Sequence, residues 1–407
     1  MEPSSLRTCS KKKTSSKNTE MLERHILHIN IAHFFATVEA LSNTSLKGEP
    51  FAIAPIYNKR AVVIDLSEQA FAEGLRKGDP IKKAKKMNIE IIEPNYDIYS
   101  RAETALYKST LSFAPIVEKT AGGHLFLDVT GTKKIFGKPV DHASFIKRRI
   151  YEDFAINPIV SHSVNKLVAK VATRVVKPHG FISVIPGDEA SFLHFQDIDL
   201  LPGIGAKLSQ RMELLGIKHI GELAGLSDSD ILTVLGKKGL RLRNCARGVD
   251  NTPITPLPSH MKKISEHKML ASDTSDRGEL EAHLFLLSEE TGLKLRQNNL
   301  TCKGVEVVVS YTDGMEARES LVFQEHTFYD REIFENARTT LEKIFYRRVR
   351  VRKITLFLIH LSEGAGQLDL FIPENRIKLE KIQKSIDHIR ARFGKEAITF
   401  GRTINIK

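Results

Sequence analysis

Between Asn251 and His260 the chain places three prolines in ten residues with almost no hydrophobic periodicity. Proline lacks an amide hydrogen and fixes its own φ, so such a stretch continues neither a helix nor a central strand. It reads as a linker, and the sequence on either side must bury a core of its own. The length of 407 residues agrees, because single cores stop growing at roughly 250–300 residues. Apolar residues make up 41% of the chain without any long apolar run, which points to a globular protein with no transmembrane helix. Cys9, Cys245 and Cys302 are widely spaced and never form CxxC. That excludes a disulfide framework and a cysteine zinc site, and fits the cytoplasm. The formal net charge of +12 asks for a polyanionic partner, nucleic acid first.

Before the linker, Ile26-Leu27-His28-Ile29 predicts a short apolar strand running into Phe34-Phe35 and a helix. A strand-like run follows from Pro50 to Asp65, with a turn at Tyr57-Asn58-Lys59-Arg60. Pro80 to Met87 has helical period, and His124 to Val129 is a further strand ended by Thr130-Gly131-Thr132. Beyond the linker, Gly304 to Tyr311 and Val349 to Leu361 alternate as strands around a helix from Arg331 to Arg347. The fold class is α+β. Residues 1–22 are polar and lysine-rich and read as a disordered basic arm.

Three stretches carry binding chemistry. Leu201-Pro202-Gly203-Ile204-Gly205 before Lys207 is a tight turn feeding a helix, spaced to Gly216-Ile217 as in a helix-hairpin-helix. Glycines let the backbone approach an anion, and the amides at the helix start point partial positive charge at it. Such contacts position a protein on DNA without reading sequence. Lys343, Arg347, Arg348, Arg350, Arg352 and Lys353 crowd into eleven residues. On a strand, Arg348, Arg350 and Arg352 share one face, a row suited to a phosphate backbone. Gln367-Leu368-Asp369-Leu370-Phe371 follows a polar, glycine-containing stretch. It pairs apolar anchors for a surface pocket with a glutamine to bond at the rim. Last, Ile377, Leu379, Ile382, Ile386 and Ile389 lie near one face of a helix from Arg376 to Phe393. That helix either binds a partner or folds back on the domain before it.

Taken in order, these pieces resemble the Y-family translesion DNA polymerases of the UmuC/DinB type, over about residues 24 to 361. The stretches that carry the resemblance are ILHINIAHFFATVE from Ile26, LFLDVTGTKKIFG from Leu125, SVNKLVAKVATRVVKPHG from Ser163, the turn from Leu201 to Gly216, and Arg247-Gly248-Val249-Asp250. The resemblance implies a right hand with a little finger. Palm falls at 23–43 and 80–195, fingers at 44–79, thumb with its helix-hairpin-helix at 196–250, linker at 251–265, little finger at 266–361 and a tail at 362–407. In bacterial members a peptide like Gln367 to Phe371 binds the sliding clamp.

Family chemistry uses two divalent ions, and magnesium takes hard oxygen ligands. By the resemblance the first metal aspartate falls on Asn30 and the acidic position two residues later on Ala32, while the Asp-Glu pair falls on Gly123 and His124. The tyrosine and arginine that touch the incoming triphosphate align with Glu68 and Phe71, whereas Lys170 and Phe35 keep the family's basic and aromatic positions. These substitutions lean away from an enzyme. They imply a degenerate, ImuB-like member without polymerase activity of its own and with no cofactor. It would bind damaged or primer–template DNA and the bacterial sliding clamp, and work beside a DnaE-type error-prone polymerase in damage-induced mutagenesis of the SOS type. The alternative is an active error-prone polymerase that rebuilds a magnesium site from Asp65, Asp128 or Glu39. A third reading is a competitor that occupies clamp and lesion.

Overall fold

The computed structural model describes residues 23–56, 60–256, 263–363, 374–394, 397–401 and 403. They divide into two compact units, one on each side of the proline-bearing stretch. The basic arm and the Gln367–Phe371 peptide lie outside the described residues.

In chain order the first unit contains β1 (Ile26–Asn30), β2 (Phe51–Ile53), β3 (Asp65–Leu66), β4 (Glu90–Ile92), β5 (Ile116–Thr120), β6 (His124–Asp128), β7 (Ile159–Ser163) and β8 (Phe181–Ser183). Its main sheet has the order β5-β6-β1-β7-β8, with β1 antiparallel to both neighbours. All five residues of β1 are buried, as a central strand covered on both faces requires. Successive side chains alternate between those faces. Leu27 and Ile29 join the core with Tyr99, Leu106, Ala143, Ile146 and Ile150 from the helices Tyr96–Thr110 and Pro139–Phe154. Ile26 packs on the opposite face with Phe126 and Ala169. There the helix Lys166–Val175 lies across the sheet, so His28 and Asn30, which share the parity of Ile26, belong to its side.

A small sheet, β3-β2-β4, stands apart on its own core of Ala52, Val63, Leu66, Ala70, Leu75, Ala84 and Ile89. β4 lies beyond the fingers boundary expected at residue 79, yet pairs in parallel with β2. The strand-like run from Pro50 shortens to β2, because Pro55 follows its end. The helices Glu189–His194, Ala206–Leu214, Ile220–Gly225, Asp228–Leu235 and Lys237–Ala246 form a helical module around Leu193, Met212, Ile220, Leu223 and Ile231.

The second unit is a four-stranded antiparallel sheet of β9 (Lys263–Thr274), β10 (Leu300–Tyr311), β11 (Glu316–Thr327) and β12 (Val351–Glu363), in the order β11-β10-β12-β9. Helices Arg277–Gln297 and Asp330–Ile344 pack against it around Leu284, Val307, Phe334 and Leu356. β9 begins inside the expected linker, and β11 had no strand assigned to it from the sequence. The tail helix Glu374–Phe393 makes polar contacts with this unit. Its Asp387 accepts from Arg296 at 2.6 Å, its Gln383 donates to Asp330 at 2.9 Å, and its Arg390 meets Glu289 at 2.5 Å. The helix folds back on the little finger. Among the described residues, no helix is long and apolar enough to cross a membrane.

Candidate nucleic-acid interface

Asn30 and His124, expected to mark the palm's centre, are direct cross-strand partners of β1 and β6. Asn30 is 2% exposed, and its Nδ2 has no hydrogen-bond partner among the described residues. Gly123, beside them, has φ +76°, and its carbonyl accepts the Ile31 amide at 3.1 Å. A Cβ there would come within 2.6 Å of the Phe34 ring, so the position holds only glycine as packed. The His124 ring stacks on His28 with centroids 5.2 Å apart and planes 5° from parallel. Its Nδ1 lies 3.1 Å from His28 Nε2, and His28 Nδ1 lies 2.8 Å from the Thr173 hydroxyl. Burial, followed by repulsion from Lys170, Lys177 and Arg174, pushes His124 down to about 4. Burial and then His124 hold His28 well below its ordinary value as well. The pair is therefore neutral near pH 7.

Cations dominate what surrounds this pair. Lys170 and Arg174 stand one turn apart on the helix and so share one side of it, and Lys177 follows just past its end. Burial and then repulsion from Arg174 and Lys166 lower Lys170, while burial lowers Arg174 against the pull of Asp199, and Arg174 donates to the Leu200 carbonyl at 2.7 Å. Lys166 turns elsewhere, donating to Glu118 at 2.6 Å and lying 5.1 Å over the Phe126 ring.

The carboxylates named as substitutes do not converge. Asp65 accepts from the Phe35 and Leu66 amides at 2.9 Å each, pairs with Lys77 at 2.8 Å and stands 3.5 Å from His33. Burial pushes Asp65 up, but His33 and Lys77 outweigh it and hold the carboxyl below its ordinary value. Glu39 accepts a hydrogen bond from the Tyr99 hydroxyl at 2.5 Å. Asp128 accepts the Thr130 amide at 3.0 Å, at the far end of β6 from His124, roughly 13 Å away at strand rise. Among the described residues, no group of three or more His, Cys, Asp or Glu is placed to hold a metal. A neutral amide, a glycine, a neutral imidazole and a row of cations do not fit magnesium.

Phe35 stacks on Tyr99 with ring centroids 4.4 Å apart and planes 12° from parallel, which fixes its ring. On the fingers, Glu68 is exposed and lies 3.6 Å from His179. Phe71 is also exposed, but the Arg76 guanidinium sits 3.9 Å above its ring. A cation thus reaches the place where the sequence offered only phenylalanine. The row Lys170, Arg174, Lys177 was readable from its spacing, whereas Arg76 returns through a fold of the loop that no motif marks.

In the thumb, Gly203 has φ +100° and Gly205 caps the helix Ala206–Leu214 with an exposed Lys207 in its first turn. Arg348, Arg350 and Arg352 are all exposed, but β12 begins only at Val351. The expected strand face is corrected accordingly: Arg348 and Arg350 lie in the bend before it, where the Arg350 carbonyl accepts the Thr312 amide at 3.0 Å. Arg352 is the member that lies in the strand, 3.6 Å from Asp273.

Comparison with known proteins gives this geometry a family. The impB/mucB/samB family matches residues 29–174, and its C-terminal domain matches residues 261–370. A protein named DNA polymerase IV from Dehalococcoides mccartyi is 32% identical over 94% of this chain and 98% of its own length. Among solved structures, the "Y-family DNA polymerase chimera Dbh-Dpo4(243-245)-Dbh" superimposes with a TM-score of 0.72 at 23% identity, covering 83% of this chain and 98% of that one. DinB from Sulfolobus solfataricus gives a TM-score of 0.59 at 23% identity over 84% of this chain and 100% of its own. These relatives correct the leaning away from an enzyme. Chains related over nearly their full length are named as polymerases, and replacement at Asn30, Gly123 and His124 does not by itself show that catalysis is lost. From its first palm strand to its little finger, the chain belongs to the Y-family DNA polymerases of the UmuC/DinB type.

Proposed function

We propose that this protein works in translesion DNA synthesis, holding primer–template DNA and adding nucleotides at damaged sites while tethered to a bacterial sliding clamp. The observation that carries the reading is similarity over 94% of the chain to a protein named DNA polymerase IV. The thumb turn at Gly203 and Gly205, with Lys207 beside it, supplies amides and a charge for the DNA backbone. Arg348, Arg350 and Arg352 supply a second set of phosphate contacts. Phe35 closes the sugar side of the nucleotide site, and Lys170 faces its phosphates. Gln367 to Phe371 is the clamp peptide.

Primer extension on undamaged and abasic templates tests the activity, with magnesium, with manganese and with chelator. The reading expects template-directed products that are absent from a mock purification. A folded, DNA-bound protein that extends no primer under any of these conditions would remove the polymerase assignment. Capture on immobilised clamp tests the tether separately: Gln367→Ala/Phe371→Ala should abolish it. A DnaE-type polymerase retained in the same capture would extend the partner set.

A further inference from the structure

We propose that the outer side of the tail helix is an interface with a second copy of this chain, in which two tail helices pack about a twofold axis.

The helix Glu374–Phe393 is docked by its polar side. Gln383, Asp387 and Arg390 reach Asp330, Arg296 and Glu289 of the little finger, and at roughly 3.6 residues per turn the three share one face. The apolar residues lie elsewhere. Leu379, Ile382, Ile386, Ile389 and Phe393 form a stripe about a quarter turn round the helix from that face. Ile386 and Ile389 are half-buried, whereas Leu379, Ile382 and Phe393 are 39%, 56% and 67% exposed. An amphipathic helix ordinarily turns its apolar stripe to the core. Here ion pairs and an amide hold the helix instead, and the stripe is left for another surface.

The flanks of the stripe identify that surface. On one side Leu379 borders a groove of about 530 Å³ between the end of β11 and the start of the helix Asp330–Ile344. Phe323 adds an apolar lining there, and Glu325, Glu332 and Glu335 outnumber Arg331. On the other side, away from the docked face, stand the exposed Lys378, Lys381 and Arg392. The order across the surface is acidic, apolar, basic. A twofold axis through the apolar centre sets each margin against the opposite one, which is the self-complementarity that an isologous contact needs. DNA would meet the carboxylates of the groove and is repelled there.

Sedimentation velocity of the full-length protein without DNA, across a wide concentration series, tests this. A monomer–dimer equilibrium is expected, with a dissociation constant in the micromolar range. Leu379→Glu/Ile382→Glu should weaken it roughly tenfold or more, with the melting temperature of the dilute protein unchanged. Lys378→Glu/Lys381→Glu and Glu332→Lys/Glu335→Lys should each prevent self-association, and an equimolar mixture of the two should restore a dimer containing one of each. A parent that stays monomeric throughout, a dimer that survives Leu379→Glu/Ile382→Glu, or a mixture that stays monomeric although both variants melt like the parent would each overturn the proposal. A monomeric parent that loses capture on immobilised sliding clamp through Leu379→Glu/Ile382→Glu would overturn it too, and assign the stripe to the clamp.

Discussion

His124 and His162 are kept neutral by the fold, and that neutrality has a cost in acid. Burial leads in both cases, with repulsion from Lys170 next at His124 and from His25 at His162, and each is pushed down to about 4. The unfolded chain takes up these protons near the ordinary value of 6.5, whereas the folded chain refuses them until about 4. Stability present above pH 6.5 is therefore lost as pH falls toward 4, on the order of 1–2 kcal/mol per histidine by pH 5. Thermal melts should drop between pH 7 and 5, and His162→Gln should flatten part of that slope. A melting temperature flat over this range would refute the account. Gly123 sets a second expectation at this scale. Gly123→Asp restores a family carboxylate in sequence, but its Cβ meets Phe34 at 2.6 Å, so it should destabilise by about 1–3 kcal/mol. Denaturant melts showing no loss would mean that Phe34 yields easily.

The helix Lys166–Val175 is the element on which the site depends, and its first residues fix where it points. Asn165 caps it by accepting the Val168 amide at 2.9 Å and donates to the Gly248 carbonyl at 2.8 Å. Asp250 accepts the Leu167 amide at 3.1 Å from the same thumb end. Gly248 has φ +79°, and a Cβ there would lie 2.7 Å from that of Glu189, so the close approach requires glycine. Asn165→Ala should cost about 2 kcal/mol, through the lost cap and an unpaired carbonyl. Asn165→Asp should recover the cap alone, and chemical denaturation of the two variants separates the contributions. At this scale the sequence was legible wherever a motif is local. β1, the helix after Phe34, β6, the Gly203 turn and the helix from Asp330 all stand where period and turn residues put them. Long-range pairing was less legible. β4 joins the fingers by a parallel pairing that no local pattern marks, and Arg350 lies just before β12, whose register against β10 shifts at Ser310 and Tyr311. The tail helix had an apolar face, but its docking is decided by ions far apart in sequence: Arg296 reaches Asp330 at 2.7 Å and Asp387 at 2.6 Å. Gly292 leaves room for this, since a Cβ there would lie 2.1 Å from Asp330. Arg296→Met strands two carboxylates and should cost about 3 kcal/mol. Hydrogen exchange should show the tail helix losing protection first.

For the whole molecule, the net charge of +12 acts through a few exposed groups in each unit rather than through an average. Binding to DNA by phosphate contact releases counterions, so affinity should fall steeply with salt. The log–log slope should lose roughly one for each phosphate-contacting cation removed. Not all cations count equally. Arg352 stands 3.6 Å from Asp273 and Arg347 donates to Asp313 at 2.7 Å, so each is partly neutralised before DNA arrives. Arg348, Arg350 and Lys207 are exposed, and no ion pair is recorded for them among the described residues. Arg348→Ala, Arg350→Ala and Lys207→Ala should each lower the slope by about one, and Arg352→Ala by less. Contacts to phosphate carry no base information, so the losses should be the same on oligonucleotides of different base sequence. Salt titrations with a fluorescent primer–template measure all of this in one series. An Arg352→Ala effect as large as that of Arg348→Ala would show that Asp273 releases its partner to the DNA. A loss confined to one base sequence would show instead that these arginines read bases, and that the protein finds its place on DNA by sequence rather than by the shape and charge of a primer terminus.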